Sequence, residues 1–105
     1  MTPGWIFPIV AALTLGTAIP AHAATIQISM ENLEFSPAEA TAKVGDTIEW
    51  INKDILAHTA TARSGDFDVT IPPKKTVTSI LKKAGAVDYY CRFHPNMKAV
   101  LTVTP

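Results

Sequence analysis

The chain has 105 residues, of which 48% are hydrophobic, and its nine basic residues balance its nine acidic residues. A chain of this length accommodates one domain, and its apolar content is typical of a globular protein rather than a disordered one. The absence of a net charge argues against nucleic acid as a partner, because binding a polyanion requires a positive surface field.

The N-terminal segment, residues 1–23, contains no charged side chain, and residues 5–19 within it are almost wholly apolar. Its Ala-His-Ala end at Ala23 has the small-x-small form of a signal-peptidase site. The apolar run is shorter than the about 20 residues that a membrane-spanning helix needs. We expect residues 1–23 to be a removed signal peptide and residues 24–105 to be an exported domain with no stable membrane insertion. An uncleaved apolar anchor is the alternative, since the segment lacks the usual opening Lys or Arg.

The first half of the domain shows the alternation of apolar and polar residues that predicts β-strands. Residues 26–30 alternate with the period of a half-buried strand. After Asn32 the alternation slips by one residue, which predicts a β-bulge. The Val-Gly-Asp sequence at 44–46 predicts a turn into a strand whose Ile48 and Trp50 share one face.

The second half continues this pattern up to the end of the chain. Turn signals stand at 64–66, 72–73 and 84–85. Turns at this spacing, with no sustained helical period, predict an antiparallel sandwich or barrel. Val87 and Cys91 share one face of a strand, so the Cys91 thiol should point toward the packed side.

Cys91 is the only cysteine, so the domain has no internal disulfide. An exported domain of about 80 residues buries little surface and often depends on a disulfide or a metal. A lone thiol in an oxidising compartment also needs burial or ligation. Two roles therefore stay open for Cys91: metal ligand, or small apolar side chain in the core.

His94 and Met97 follow Cys91 at steps of three, in the predicted connection to the last strand. The one other histidine of the domain, His58, lies in a polar loop that a sandwich can bring beside Cys91. One thiolate, two imidazoles and a thioether form the blue-copper donor set, whereas structural zinc that uses thiolate usually takes two or more cysteines. The predicted ligands of a single copper ion are therefore His58, Cys91, His94 and Met97. Taken singly, each of them has an ordinary role as a surface histidine or as apolar packing.

Two other functions use the same residues. A copper carrier, or a module for copper storage and delivery, needs a site that exchanges its metal readily. A thiol enzyme would pair Cys91 with a histidine base, but this leaves Met97 without a role and lacks a third, orienting residue. An enzyme acting at copper needs an open coordination position, whereas four protein ligands fill this one. The donor set therefore predicts that the protein is not an enzyme.

Three segments of the domain resemble the cupredoxins, specifically the amicyanin-type members with a short ligand loop and more broadly pseudoazurin and plastocyanin. They are VGDTIEWIN at 44–52, His58-Thr59, and YYCRFHPNM at 89–97. With the strand pattern between them, the resemblance extends over residues 24–105. One departure is Thr59, which stands where many members have Asn. Its hydroxyl is expected to make a similar hydrogen bond with a shorter reach.

The resemblance implies a fold, a cofactor and a function. The fold is an all-β Greek-key sandwich of about seven to eight strands. The cofactor is one type 1 copper, with His58, Cys91 and His94 in a trigonal plane and Met97 as the long axial ligand. The function is single-electron transport in the periplasm by a monomer. Its redox partners are expected to be a donor dehydrogenase, a cytochrome c-like acceptor, or both.

Overall fold

The computed structural model describes residues 22–105, and this part of the chain is built from β-strands without a helix. The strands are β1 (Thr25–Glu31), β2 (Glu34–Ser36), β3 (Glu39–Lys43), β4 (Thr47–Asn52), β5 (His58–Ala62), β6 (Asp68–Ile71), β7 (Thr76–Ile80), β8 (Gly85–Cys91) and β9 (His94–Thr104). Over residues 22–105 no helix is long and apolar enough to cross a membrane. The expected signal peptide, except its last two residues, lies outside the described residues.

The strands form two packed sheets, in the orders β2-β1-β4-β7 and β3-β9-β8-β5-β6. The predicted all-β sandwich is confirmed, and most of its strand pairs are antiparallel as expected, but two pairs are not. The pairs β1–β4 and β3–β9 are parallel, so both sheets are mixed. Between β2 and β4 the chain crosses to the second sheet, where it forms β3. It then returns to the first sheet as β4, which runs in the same direction as β1.

The phase slip after Asn32 is a hairpin turn and not the predicted bulge. Asn32 and Leu33 both have positive φ angles, of 55° and 63°, which is typical of a tight two-residue hairpin. Beyond the turn, β2 pairs antiparallel with β1. The hairpin adds a short strand, and the strands over residues 22–105 number nine rather than the expected seven to eight. It also places Leu33 at an exposed tip while Phe35 is buried.

The strand faces that the sequence predicts as inward are buried between the two sheets. Ile48 and Trp50 of β4 and Tyr89 of β8 are fully buried. The Trp50 and Tyr89 rings meet edge to face with centroids 5.3 Å apart. Burial raises the pKa of the Tyr89 phenol above its usual range. Because Tyr89 and Cys91 lie on the same face of β8, this aromatic core directly supports the strand end that carries Cys91.

Candidate metal centre

Three of the four predicted ligands lie on one tight hairpin. β8 ends at Cys91 and β9 begins at His94, so Arg92 and Phe93 alone form the tip. The sequence placed His94 and Met97 in a connection before the last strand, whereas the structure places both within β9. Cys91 is the register partner of His94, with an irregularity between Tyr90 and Cys91. Such irregularities re-aim side chains, and here the pairing puts Cys91 and His94 side by side.

His58 reaches this hairpin because it is the first residue of β5, which pairs with β8. His58 Nδ1 lies 3.7 Å from Cys91 Sγ. The rings of His58 and His94 have centroids 5.4 Å apart. His58 and Cys91 are both fully buried, and His94 is half-buried. The structure thus brings together a thiol and two imidazoles from distant parts of the sequence.

Met97 lies three residues further along β9. It is 3% exposed, and it lines the same shallow surface concavity as His94, Phe93 and Leu33. Met97 is therefore more deeply buried than His94, at the same end of the sandwich.

The donor spacing fits a metal. A metal–thiolate bond of about 2.3 Å and a metal–imidazole bond of about 2.0 Å, at a trigonal angle, separate sulfur and nitrogen by about 3.7 Å. This equals the separation of Cys91 Sγ and His58 Nδ1. Residues 22–105 contain no cluster of three or more His, Cys, Asp and Glu side chains arranged to hold a metal, so His58, Cys91 and His94 do not form a ready-made three-ligand site, and the fit rests on the spacing of Cys91 Sγ and His58 Nδ1. That all four residues are ligands remains a prediction.

Asp54 is a residue of this centre that the sequence analysis missed. Its Oδ2 lies 2.7 Å from His58 Nε2, so a neutral His58 that donates its Nε2–H to Asp54 in a hydrogen bond leaves the Nδ1 lone pair facing Cys91. The carboxylate also accepts hydrogen bonds from the backbone N–H groups of Asn32 and Leu33. Burial raises the pKa of Asp54, but hydrogen bonds from His58 and these amides outweigh it and lower the pKa below its ordinary value. The available signal was an acidic residue four positions before a candidate ligand.

Replacing Asp54 by alanine is expected to weaken copper binding by about 10- to 100-fold, because His58 loses the partner that fixes its orientation and tautomer. Asp54→Asn, which keeps an acceptor oxygen, should weaken copper binding less than Asp54→Ala does. Competition with a chelator of known affinity measures the change, and Asp88→Ala, which removes an exposed carboxylate of β8, is the control. Equal affinities for the Asp54→Ala variant and the unaltered protein would contradict an orienting role.

The loop before His58 is tied to the sheets by Asn52, which is 2% exposed. Its side-chain amide donates to the carbonyl oxygens of Leu56, Ile71 and Pro72 at 2.8, 3.0 and 3.2 Å. Its Oδ1 accepts the N–H of Asp54 at 2.9 Å. One buried amide therefore connects the end of β4, the loop and the end of β6, and it fixes where β5 starts.

Thr59 makes the hydrogen bond that the sequence analysis expected in place of the Asn found in many cupredoxins. Its Oγ1 accepts the backbone N–H of Arg92 at 2.8 Å, and its own N–H donates to Cys91 Sγ at 3.3 Å. A hydrogen bond to a ligand sulfur is one of the contacts that tune a copper site.

Comparison with known proteins agrees with this architecture. Residues 4–103 match the family described as "Cupredoxin-like domain". The chain is 33% identical to the methylamine utilization protein MauL of Methylorubrum extorquens, over 74% of this chain and 72% of that protein. It is 29% identical to amicyanin of Paracoccus versutus, over 81% of this chain and 67% of that protein. The crystal structure of Paracoccus versutus amicyanin superposes with a TM-score of 0.65 at 25% identity, covering 81% of this chain and 84% of that one.

Proposed function

Because the chain belongs to the cupredoxin-like family of electron-transfer copper proteins, we propose that it carries single electrons between redox proteins of the periplasm. Proteins of this family are not enzymes, and they bind one type 1 copper. The proposed ligands are His58, Cys91, His94 and Met97. When bound, copper supplies a one-electron couple between its two oxidation states. The protein's contribution is to hold the donors in one arrangement for both states.

The observation that carries the proposal is the buried pair of Cys91 Sγ and His58 Nδ1, 3.7 Å apart on adjacent strands. Cys91 is held by the β8–β9 ladder and by the N–H of Thr59, and His58 is held by Asp54. Neither side chain can move far without breaking sheet or side-chain hydrogen bonds. A site of this stiffness suits electron transfer, because little reorganisation accompanies the change of charge.

Four exposed apolar side chains lie on the loops and hairpin tips that carry or contact the site residues, and we call them the apolar end: Leu33, Ile55, Leu56 and Phe93, which are 45%, 79%, 50% and 51% exposed. Leu33 and Phe93 line the concavity of His94. Asp54 joins the loop of Ile55 to the hairpin of Leu33. Grouped apolar exposure is typical of a protein-binding surface. We propose that redox partners, a donor dehydrogenase or a cytochrome c-like acceptor, dock here and exchange electrons through the His94 ring.

The proposal is tested by cycling the copper-loaded domain between oxidised and reduced forms in the presence of a copper chelator. An electron carrier should show a reversible one-electron wave and keep its copper over many cycles. A delivery module should lose copper to the chelator, above all in the reduced form. Loss of metal within a few cycles would overturn electron transport and favour copper delivery.

We also propose that residues 1–23 are removed on export, which agrees with the position of Ala24 in the structure. β1 begins at Thr25, one residue after the proposed new N-terminus. The backbone nitrogen of Ala24 donates to Asp46 Oδ1 at 2.9 Å, and the N–H of Lys43 donates to Oδ2 of the same carboxylate. After cleavage, the α-ammonium group of Ala24 would lie on this carboxylate.

Asp46→Asn is therefore expected to lower the stability of the mature domain at pH 7 and to flatten its acid dependence. The hydrogen bond from the Ala24 nitrogen, and then that from the Lys43 N–H, lowers the pKa of Asp46 below its ordinary value. A carboxyl group whose pKa is lowered by folding stabilises the fold at any pH above its pKa in the unfolded chain. This stabilisation is lost as the pH falls through its pKa in the folded protein. Urea unfolding from pH 7 to pH 2 measures the slope. Asp88→Asn is the control, and parallel curves for Asp46→Asn and the unaltered domain would contradict the prediction.

A further inference from the structure

Thr61 and Asp68 continue a chain of hydrogen bonds that starts next to Cys91. Thr59 Oγ1, which accepts the Arg92 N–H, lies 2.9 Å from Thr61 Oγ1. Thr61 Oγ1 in turn donates to Asp68 Oδ1 at 2.8 Å. Thr59 is fully buried and Thr61 is 9% exposed, so water has little access to the first two hydroxyl groups. A continuous path therefore leads from the residue after Cys91 to the start of β6.

The chemistry of the last group fixes the direction of every bond in this chain. A carboxylate only accepts hydrogen bonds, so the Thr61 hydroxyl must donate its hydrogen bond to Asp68. The Thr61 oxygen can then only accept from Thr59, so the Thr59 hydroxyl must donate to Thr61. The Thr59 lone pairs are thereby left for the Arg92 N–H. Asp68, although remote from Cys91, decides which way the Thr59 hydroxyl points.

The chain closes on itself through the Arg92 side chain. Arg92 Nε donates to Asp68 Oδ1 at 3.3 Å, the same oxygen that accepts from Thr61. The Arg92 and Asp68 side chains are 44% and 52% exposed, and an ion pair this exposed contributes little stability by itself. Its geometric effect is larger, because it holds Asp68 where Thr61 needs an acceptor.

We propose that Thr61 and Asp68 are positioning residues for the copper site. With Thr59 and Arg92 they form a ring of hydrogen bonds, which we call the hydroxyl clasp. The hydroxyl clasp holds the peptide that joins Cys91 to Arg92, and so holds the Cys91 sulfur against the N–H of Thr59. The inference rests on the proposed function, since the sulfur it positions is the proposed copper ligand.

Two variants open the hydroxyl clasp and one retains it. Thr61→Val removes the middle hydroxyl, and Asp68→Ala removes the acceptor. Asp68→Asn removes the charge but keeps an acceptor oxygen, so it separates the hydrogen bond from the field of the carboxylate. The matched controls are Thr78→Val, on an exposed position of β7, and Asp66→Ala, whose carboxylate is paired with Lys83.

Two measurements test the inference. In the metal-free protein, amide hydrogen exchange at Arg92 should become about tenfold faster in Thr61→Val and Asp68→Ala. In the copper-loaded protein, both variants should shift the reduction potential and broaden the copper hyperfine pattern. Because the two residues act in series, the double variant should shift no further than either single variant. Asp68→Asn should retain most of the Arg92 protection, and the two controls should match the unaltered protein.

The hydroxyl clasp is overturned if Arg92 exchange and the reduction potential stay unchanged in Thr61→Val and Asp68→Ala. Equal changes in the Asp66→Ala control would also overturn it. So would a result in which Thr61→Val and Asp68→Ala lower only the stability of the protein. Failure of the proposed function has a different signature, namely the absence of a type 1 copper spectrum in the unaltered protein. In that case Arg92 exchange in the metal-free protein still decides whether Asp68 controls the Thr59 hydroxyl.

Discussion

Copper-loaded Cys91→Ala is expected to lack the intense absorption at about 600 nm and the narrow copper hyperfine splitting of a thiolate blue-copper site. Both signals require a Cu(II)–thiolate bond, and Cys91 is the only thiol in the chain. Visible and electron paramagnetic resonance spectra of the Ala24–Pro105 domain with one equivalent of Cu(II) measure the change. This variant has the largest effect of those we predict, because it removes the one donor that no other side chain can replace.

The control for losing a buried sulfur is Met30→Leu. Met30 is fully buried in β1, in the sheet opposite to Cys91, so its replacement should leave the blue spectrum unchanged. The fold should survive Cys91→Ala, since the ladder of β8 and β9 uses backbone groups. A pale Cu(II) spectrum that is the same with and without Cys91 would contradict the electron-carrier proposal and favour copper delivery or thiol chemistry.

Asn52→Leu should destabilise the metal-free domain by about 3 kcal/mol and weaken copper binding at the same time. The replacement has the same branched skeleton of four heavy atoms but leaves the carbonyl groups of Leu56, Ile71 and Pro72 without their donor. An unpaired buried polar group costs about 1–3 kcal/mol. The loop that carries Asp54 and Ile55 also loses its attachment, so His58 should be less well oriented.

Urea unfolding of the metal-free protein gives the change in the free energy of unfolding, and chelator competition gives the change in copper affinity. Gln27→Leu is the matched control, because it removes an amide whose hydrogen bond to Glu49 is exposed. This control should change stability by no more than about 0.5 kcal/mol. A similarly small change in Asn52→Leu would show that the loop is held by other contacts.

Features that depend on neighbouring residues were predictable from the sequence. The inward face of β8 follows from strict alternation, since side chains along a strand point to opposite faces. Val87, Tyr89 and Cys91 are accordingly buried. The turn before β4 follows from its glycine, Gly45, which has a φ of 96°. The slip after Asn32 was visible, but alternation alone does not distinguish a bulge from a two-residue hairpin.

Features that depend on strand pairing were not predictable. The proposed copper ligands Cys91, His94 and Met97, at steps of three, could be picked out from the sequence, and so could the one remaining histidine of the domain. The approach of His58 to Cys91, 33 residues away, required β5 to pair with β8. The contact of Asp54 with His58 Nε2 was not predictable either, because it depends on the ring orientation that places Nδ1 beside the sulfur.

The sequence by itself therefore determined the all-β class, the inward faces of the strands and the residue types of the proposed donor set. Tertiary structure alone decided the mixed sheets, the orientation of His58 by Asp54 and the closed path from Arg92 through Thr59 and Thr61 to Asp68. The physical reason is that periodicity and donor chemistry belong to single residues and their neighbours. Sheet pairing is instead set by the whole chain, and a register shift of one residue would point each of these side chains to the opposite face.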